Sequence, residues 1–287
     1  MRWAVSRDGI LRRMLALVAA LFAALLLIVA AQGAALAAPG ATGGGSTGGS
    51  PSSSWDYVAL GDSLATGFGA RKGYVPRYRD YVKTDTGVTV KLTNLGKNGW
   101  KSTDLLNALR SDPNFRGAVG GAEVVTWNIG GNDLRAARDL YKDGTCGGTD
   151  NQDCLRASVE TLKSNWQGIT GEILGLRSST NTIIRTMDIY NPYVDEDKGA
   201  DSWADDGGLN DFQVFKTYVD DVNAHIAATS SGTNIPYAQV YVAFNGAYGD
   251  KDPAAKGYIG PDGLHPNDTG HKVMADLLRG LGYAPLK

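Results

Sequence analysis

Asp262-Gly263-Leu264-His265 sets a carboxylate three residues before an imidazole. That separation spans about one turn, so the Asp262 carboxylate can reach His265 Nδ1. Such a bond fixes the tautomer and leaves Nε2 free to take a proton. A proton acceptor of this kind is useful beside a hydroxyl, and one serine is placed to serve. Gly61-Asp62-Ser63-Leu64-Ala65-Thr66-Gly67 brackets Ser63 between two glycines in a tight turn. A helix starting there would aim the Ser63 backbone N–H at a bound anion. Taken alone, Asp-Ser is equally an ordinary helix cap.

Two further segments offer donors. Asn94-Leu95-Gly96-Lys97-Asn98-Gly99-Trp100-Lys101-Ser102 contains Gly99, which lacks a Cβ and is free to turn its N–H towards a ligand. A plain Asn-Gly turn reads the same way. Asn128-Ile129-Gly130-Gly131-Asn132-Asp133 presents the Asn132 amide beside two glycines. Asn132 could receive developing negative charge, or simply cap a helix. The other histidines, His225 and His271, fall inside helical patterns and are expected to be structural or on the surface.

Each segment must be carried by an element that precedes it. Apolar strand patterns cover Asp56–Leu60, Val88–Leu95, Glu123–Ile129, Thr182–Asp188 and Ile235–Val242. Helical spacing covers Tyr74–Thr86, Ser102–Arg110, Asp133–Tyr141, Gln152–Leu176, Asn210–Ala228 and a last helix after Pro266. Alternation of this kind predicts an α/β fold, a parallel sheet with helices on both faces. Ligands bind such sheets beyond the carboxyl ends of the strands. The segments holding Ser63, Gly99 and Asn132 each follow a strand.

Gly-Asp-Ser-Leu, a downstream glycine, Gly-x-Asn-Asp and Asp-x-x-His, in that order, resemble the four blocks of the SGNH/GDSL serine hydrolase (lipase/esterase) family. The resemblance runs from Ser63 to His265, nearly the whole folded body. It implies a flavodoxin-like three-layer α/β/α sandwich with a five-stranded parallel sheet. It further implies Ser63 as nucleophile, His265 as base and Asp262 as its orienting acid. The oxyanion hole would be formed by Ser63 N–H, Gly99 N–H and the Asn132 amide. No cofactor and no metal are expected. Lys97-Asn98 depart from the small residues expected before the second-block glycine, which bears on Gly99.

The bulk properties locate this chemistry. Residues 1–38 hold four Arg, one Asp and an apolar run from Met14 to Ala31, ending in Ala35-Leu36-Ala37. They read as a signal peptide, with an N-terminal membrane anchor facing outside as the alternative. Residues 39–54 are Gly/Ser-rich and read as a flexible linker, leaving 55–287 as one domain. Gly44-Gly45-Ser46-Thr47-Gly48 fits a nucleophile-elbow pattern by composition alone, with no strand before it. The whole chain carries −2 and the leader +3, so −5 falls on the rest. An acidic body argues against nucleic acid. Cys146 and Cys154, eight apart, are expected to form a disulfide in an exported protein.

The expected protein is thus a secreted, monomeric serine esterase acting on a small ester, lipid or acylated glycan, with membrane or cell-wall association open. The alternative is a catalytically idle surface module binding acylated glycans. Gly67-Phe68-Gly69-Ala70-Arg71-Lys72-Gly73 mimics a phosphate loop but misses the G-x-G-x-x-G spacing by one. Asp195-Glu196-Asp197 to Asp201 does not fit an EF-hand and is expected to be a solvated loop. The segments 190–209 and 244–261 should overhang the site, where Tyr193, Trp203, Tyr248 and Tyr258 could line an acyl or sugar pocket.

Overall fold

Among the described residues, five strands organise the fold, and their side chains alternate between two apolar cores. The computed structural model describes residues 54–204 and 207–287. The expected leader and most of the expected linker lie outside the described residues; Ser54, assigned to the linker, instead opens the first strand.

The strands are β1 Ser54–Gly61, β2 Thr89–Asn94, β3 Val124–Asn128, β4 Ile183–Met187 and β5 Tyr237–Ala238. All pairings are parallel, in the order β2-β1-β3-β4-β5. This is the flavodoxin-like order, with its switch point between β1 and β3. The helices are α1 Ser63–Thr66, α2 Tyr74–Thr86, α3 Ser102–Ser111, α4 Pro113–Gly121 and α5 Gly131–Lys142. Then follow α6 Asp153–Leu176, α7 Val194–Lys198, α8 Asp211–Thr233, α9 Val240–Asn245 and α10 Asp268–Gly280.

On one face, Val58 and Leu60 of β1 join Val125 and Trp127 of β3 beneath α3, α4, α5, α6 and α8. On the other, Tyr57 and Ala59 join Val124 and Met187 beneath α2, α9 and α10. Every residue of β3 and β4 is buried, as expected of central parallel strands covered on both sides. The result is the expected α/β/α sandwich.

Three local readings need correction. The strand expected over Ile235–Val242 pairs with β4 only at Tyr237–Ala238, and the chain turns into α9 at Val240. The cause is tertiary: the Asp188 carboxylate, at the end of β4, accepts from Tyr241 N–H at 2.7 Å and caps α9 from outside. Helix α4 escapes the periodicity because of its glycines, although Asp112 caps it and Pro113 occupies its first position. The acidic stretch is not a solvated loop throughout. Asp197 lies fully buried in α7, ion-paired with buried Arg138. Cys146 and Cys154 are disulfide-bonded. Among the described residues, no helix is long and apolar enough to cross a membrane.

Candidate active site

Strand β1 runs directly into the turn that exposes Ser63. Gly61 there adopts φ +137°, and a Cβ on it would lie 2.3 Å from the Asn128 carbonyl oxygen. Only glycine fits between two strand ends this close. Asp62 then caps α1, its Oδ1 accepting from Leu64 N–H at 2.9 Å and from Asn128 Nδ2 at 2.9 Å. Asn128 accepts in turn from Tyr74 OH at 2.7 Å. Burial pushes the Asp62 carboxyl up to about 6, against the hydrogen bonds it receives. This buried network fixes the first turn of α1, with Ser63 at its start.

His265 reaches the same place from the far end of the chain. Its Nδ1 lies 2.6 Å from Asp262 Oδ2, and its Nε2 lies 2.9 Å from Ser63 Oγ. An ionised carboxylate only accepts, so Nδ1 carries the ring proton and Nε2 is left to accept from the serine hydroxyl. Asp262 Oδ1 also accepts from the N–H groups of Leu264 at 3.1 Å and His265 at 3.0 Å. Partial burial raises the Asp262 pKa, but the bonds from the His265 ring and from both N–H groups outweigh it, holding the carboxyl below its ordinary value. Three ties hold the segment in position. Ile259 bridges Pro266, Gly260 N–H donates to the His265 carbonyl at 2.8 Å, and Tyr190 OH donates to the Leu264 carbonyl at 2.6 Å.

Asn132 stands in the first turn of α5, and its Nδ2 donates to the Trp100 carbonyl at 2.9 Å. An Asn amide has two hydrogens, so one remains for a ligand. Asp133 beside it accepts from Ser102 N–H at 2.9 Å and Ser102 Oγ at 2.7 Å, which ties this turn to the segment carrying Gly99. Gly99 has φ +79°, and its neighbour Asn98 accepts from Thr66 Oγ1 at 2.7 Å. Ser63, Asn132, and His265 share one cavity; Gly99 does not line it, and stands one residue from the Trp100 carbonyl that Asn132 holds.

That cavity has an empty volume of about 690 Å³, mouth included. Besides Ser63, Asn132 and His265, its lining includes Ile129, Leu134, Met187, Ile189, Phe215 and Val219, which supply apolar wall. Asp188 lines it too, its carboxyl pushed up to about 7 by burial, against bonds from the N–H groups of Tyr241 and Val240. Of the four loop aromatics, Tyr193 alone reaches the cavity. Trp203 packs against the helical core, Tyr258 packs on Phe244, and Tyr248 is 80 % exposed. His271 is structural, as expected: it is fully buried, and its Nδ1 accepts from Tyr74 N–H at 3.2 Å. Burial lowers its pKa to about 4. Among the described residues, no cluster of three or more His, Cys, Asp or Glu side chains is placed to hold a metal ion.

Sequence reasoning passed over Asn128 and Tyr190. Asn128 had a signal, as a polar residue closing an apolar strand at the ligand-binding end. Tyr190 had none, since its hydroxyl meets a carbonyl 74 residues away.

Comparison with known proteins bears on the family and the fold. A model of a GDSL-like lipase/acylhydrolase family matches residues 59–273. No curated protein sequence matches the chain. Among solved structures, the lipase Lip_vut3 from a goat rumen metagenome is 24 % identical, with a TM-score of 0.66 over 81 % of this chain and 100 % of that one. A catalytic mutant of the acetylxylan esterase Axe2 from Geobacillus stearothermophilus is 18 % identical, with a TM-score of 0.55 over 81 % and 96 %. TesA is 15 % identical, with a TM-score of 0.54 over 81 % and 99 %. At these identities the likeness is one of fold.

Proposed function

The chain belongs to the GDSL-like lipase/acylhydrolase family, an ester-hydrolysing enzyme by that membership, and from this premise we propose that it is a secreted serine esterase working through a Ser63 acyl-enzyme. One observation carries the reading: Ser63 Oγ, His265 Nε2, His265 Nδ1 and Asp262 Oδ2 form an unbroken hydrogen-bonded chain, and Ser63 and His265 line a cavity.

A serine hydroxyl is a weak nucleophile until a base takes its proton during attack. His265 Nε2 receives that proton as Ser63 Oγ bonds to the substrate carbonyl carbon, and Asp262 steadies the imidazolium. The carbonyl oxygen becomes negative and is met by the Ser63 N–H and the free hydrogen of the Asn132 amide, with the Gly99 N–H as the third donor that the family resemblance alone implies. As the ester C–O bond breaks, His265 returns the proton to the leaving alcohol. Water then attacks the acyl-enzyme by the same route and releases the acid. The apolar wall takes the acyl part, which supports a chain longer than acetyl. Export rests on the apolar leader of residues 14–31 and is supported by the disulfide, a bond kept in oxidising surroundings.

The test is covalent labelling by a fluorophosphonate, with nitrophenyl esters from C2 to C16 and an acetylated glycan as substrates. We expect labelling at Ser63, and Ser63→Ala to abolish both labelling and turnover, a loss on the order of 10⁶ in rate. An unlabelled wild-type protein would leave only an idle binding module.

A further inference from the structure

The glycine-rich turn at residues 67–73 has no part in the scheme above, although it touches the Ser63 backbone and the His265 ring. Phe68 N–H donates to the carbonyl of Ser63 at 3.0 Å. The Phe68 ring packs against the His265 imidazole, centroids 4.7 Å apart and planes tilted by 57°. One residue thus bonds to the backbone of the nucleophile and packs on the ring of the base, which stand 202 residues apart. Phe68 is 49 % exposed, yet it is not among the residues lining the cavity.

The turn is built to hold that ring in place. Gly69 has φ +86°, and a Cβ on it would lie 3.2 Å from His265 Cβ, so the backbone passes closely beneath the histidine. Ala70 N–H donates to the Gly67 carbonyl at 3.2 Å. Beyond it, Arg71 Nε and Lys72 N–H both donate to Asp268, at 2.9 and 3.1 Å, anchoring the turn to the start of α10, just after His265. The spacing that mimics a phosphate loop serves instead to dock this turn against the His265 segment.

Resting on the reading that His265 is the base, we infer that Phe68 is a positioning residue that sets the imidazole plane and stabilises the imidazolium formed as Ser63 attacks. An aromatic face attracts a cation within about 6 Å of its centroid. The imidazole is neutral while it waits and positive once it holds the serine proton. The attraction therefore grows between ground state and transition state, which raises kcat and leaves substrate binding alone. The contact matters more here because the Asp262 side chain is 40 % exposed, which weakens by screening the carboxylate's own hold on the cation.

The experiment compares Phe68→Ala, Phe68→Leu and Phe68→Trp with wild type on esters of several acyl lengths. We expect Phe68→Ala to lower kcat by about two- to thirty-fold, the range a cation over an aromatic face supports. KM should stay within about twofold and the loss should be equal for every acyl length. Phe68→Leu keeps bulk without an aromatic face and should lose nearly as much, whereas Phe68→Trp should recover the rate. Full activity in Phe68→Leu, a loss confined to KM, or a loss that varies with acyl length would overturn the inference. Fluorophosphonate labelling separates the two levels of failure. An unlabelled wild type sinks the esterase reading, while equal labelling rates in wild type and Phe68→Ala sink only the role of Phe68.

Discussion

Single residues here divide by whether their chemistry or their surroundings define them. Ser63, His265, Asp262 and Asn132 stand out by residue type and short spacing, but the roles proposed for them come from the ordered set of motifs that resembles a known family, since serine or asparagine at a helix start is equally a cap. Phe68 and Tyr190 give no such signal. Their parts arise from contacts with residues far off in sequence, and neither phenylalanine nor tyrosine announces such a contact. Gly99 falls between: it is the least constrained of the three donors, with open space where its side chain would be. Asn132→Ala is therefore the sharper test of the oxyanion site. We expect roughly 10²–10³ lost from kcat with KM little changed, since that hydrogen bond strengthens only as the oxygen gains charge. A rise in KM alone, in steady-state kinetics, would assign Asn132 to ground-state binding.

At the scale of elements, strands and long helices were legible wherever burial follows a period, and β1, β3 and β4 stand where their apolar runs lie. The misreadings occur where another element dictates the backbone. Asp188 starts α9 from the end of β4, which cuts the fifth strand to two residues. Arg138 of α5 draws Asp197 into the interior, turning an acidic, seemingly solvated segment into a short helix. The His265 segment shows the same dependence, because Tyr190, beyond β4, holds the Leu264 carbonyl at 2.6 Å. Removing that hydroxyl should loosen the segment without emptying the cavity. We expect Tyr190→Phe to lose about fivefold in kcat, in keeping with one hydrogen bond of roughly 1 kcal/mol. Unchanged kcat would mean that the bridge between Ile259 and Pro266 holds the segment unaided.

Across the molecule as a whole, Asp188 couples stability to pH. Its carboxyl titrates at about 7 when folded, against an ordinary value of 3.8. Between those values the folded state binds more protons than the unfolded state, so this group lowers stability as pH rises through the window. Asp188→Asn keeps an oxygen to accept from Tyr241 N–H and removes the buried charge. Its melting temperature should exceed that of wild type most at pH 8, with the difference shrinking towards pH 4. A difference that is constant over this range would mean that Asp188 titrates normally. The same large scale sets when the enzyme comes into being. Ser63 opens the helix after the first strand, and His265 comes 202 residues later, with β2 to β5 between them along the chain. A ribosome making this chain has threaded out the serine long before the imidazole exists. On the proposed mechanism the growing polypeptide stays inert towards esters throughout that interval, and reactivity begins only after His265 has been synthesised and brought to Ser63 by folding.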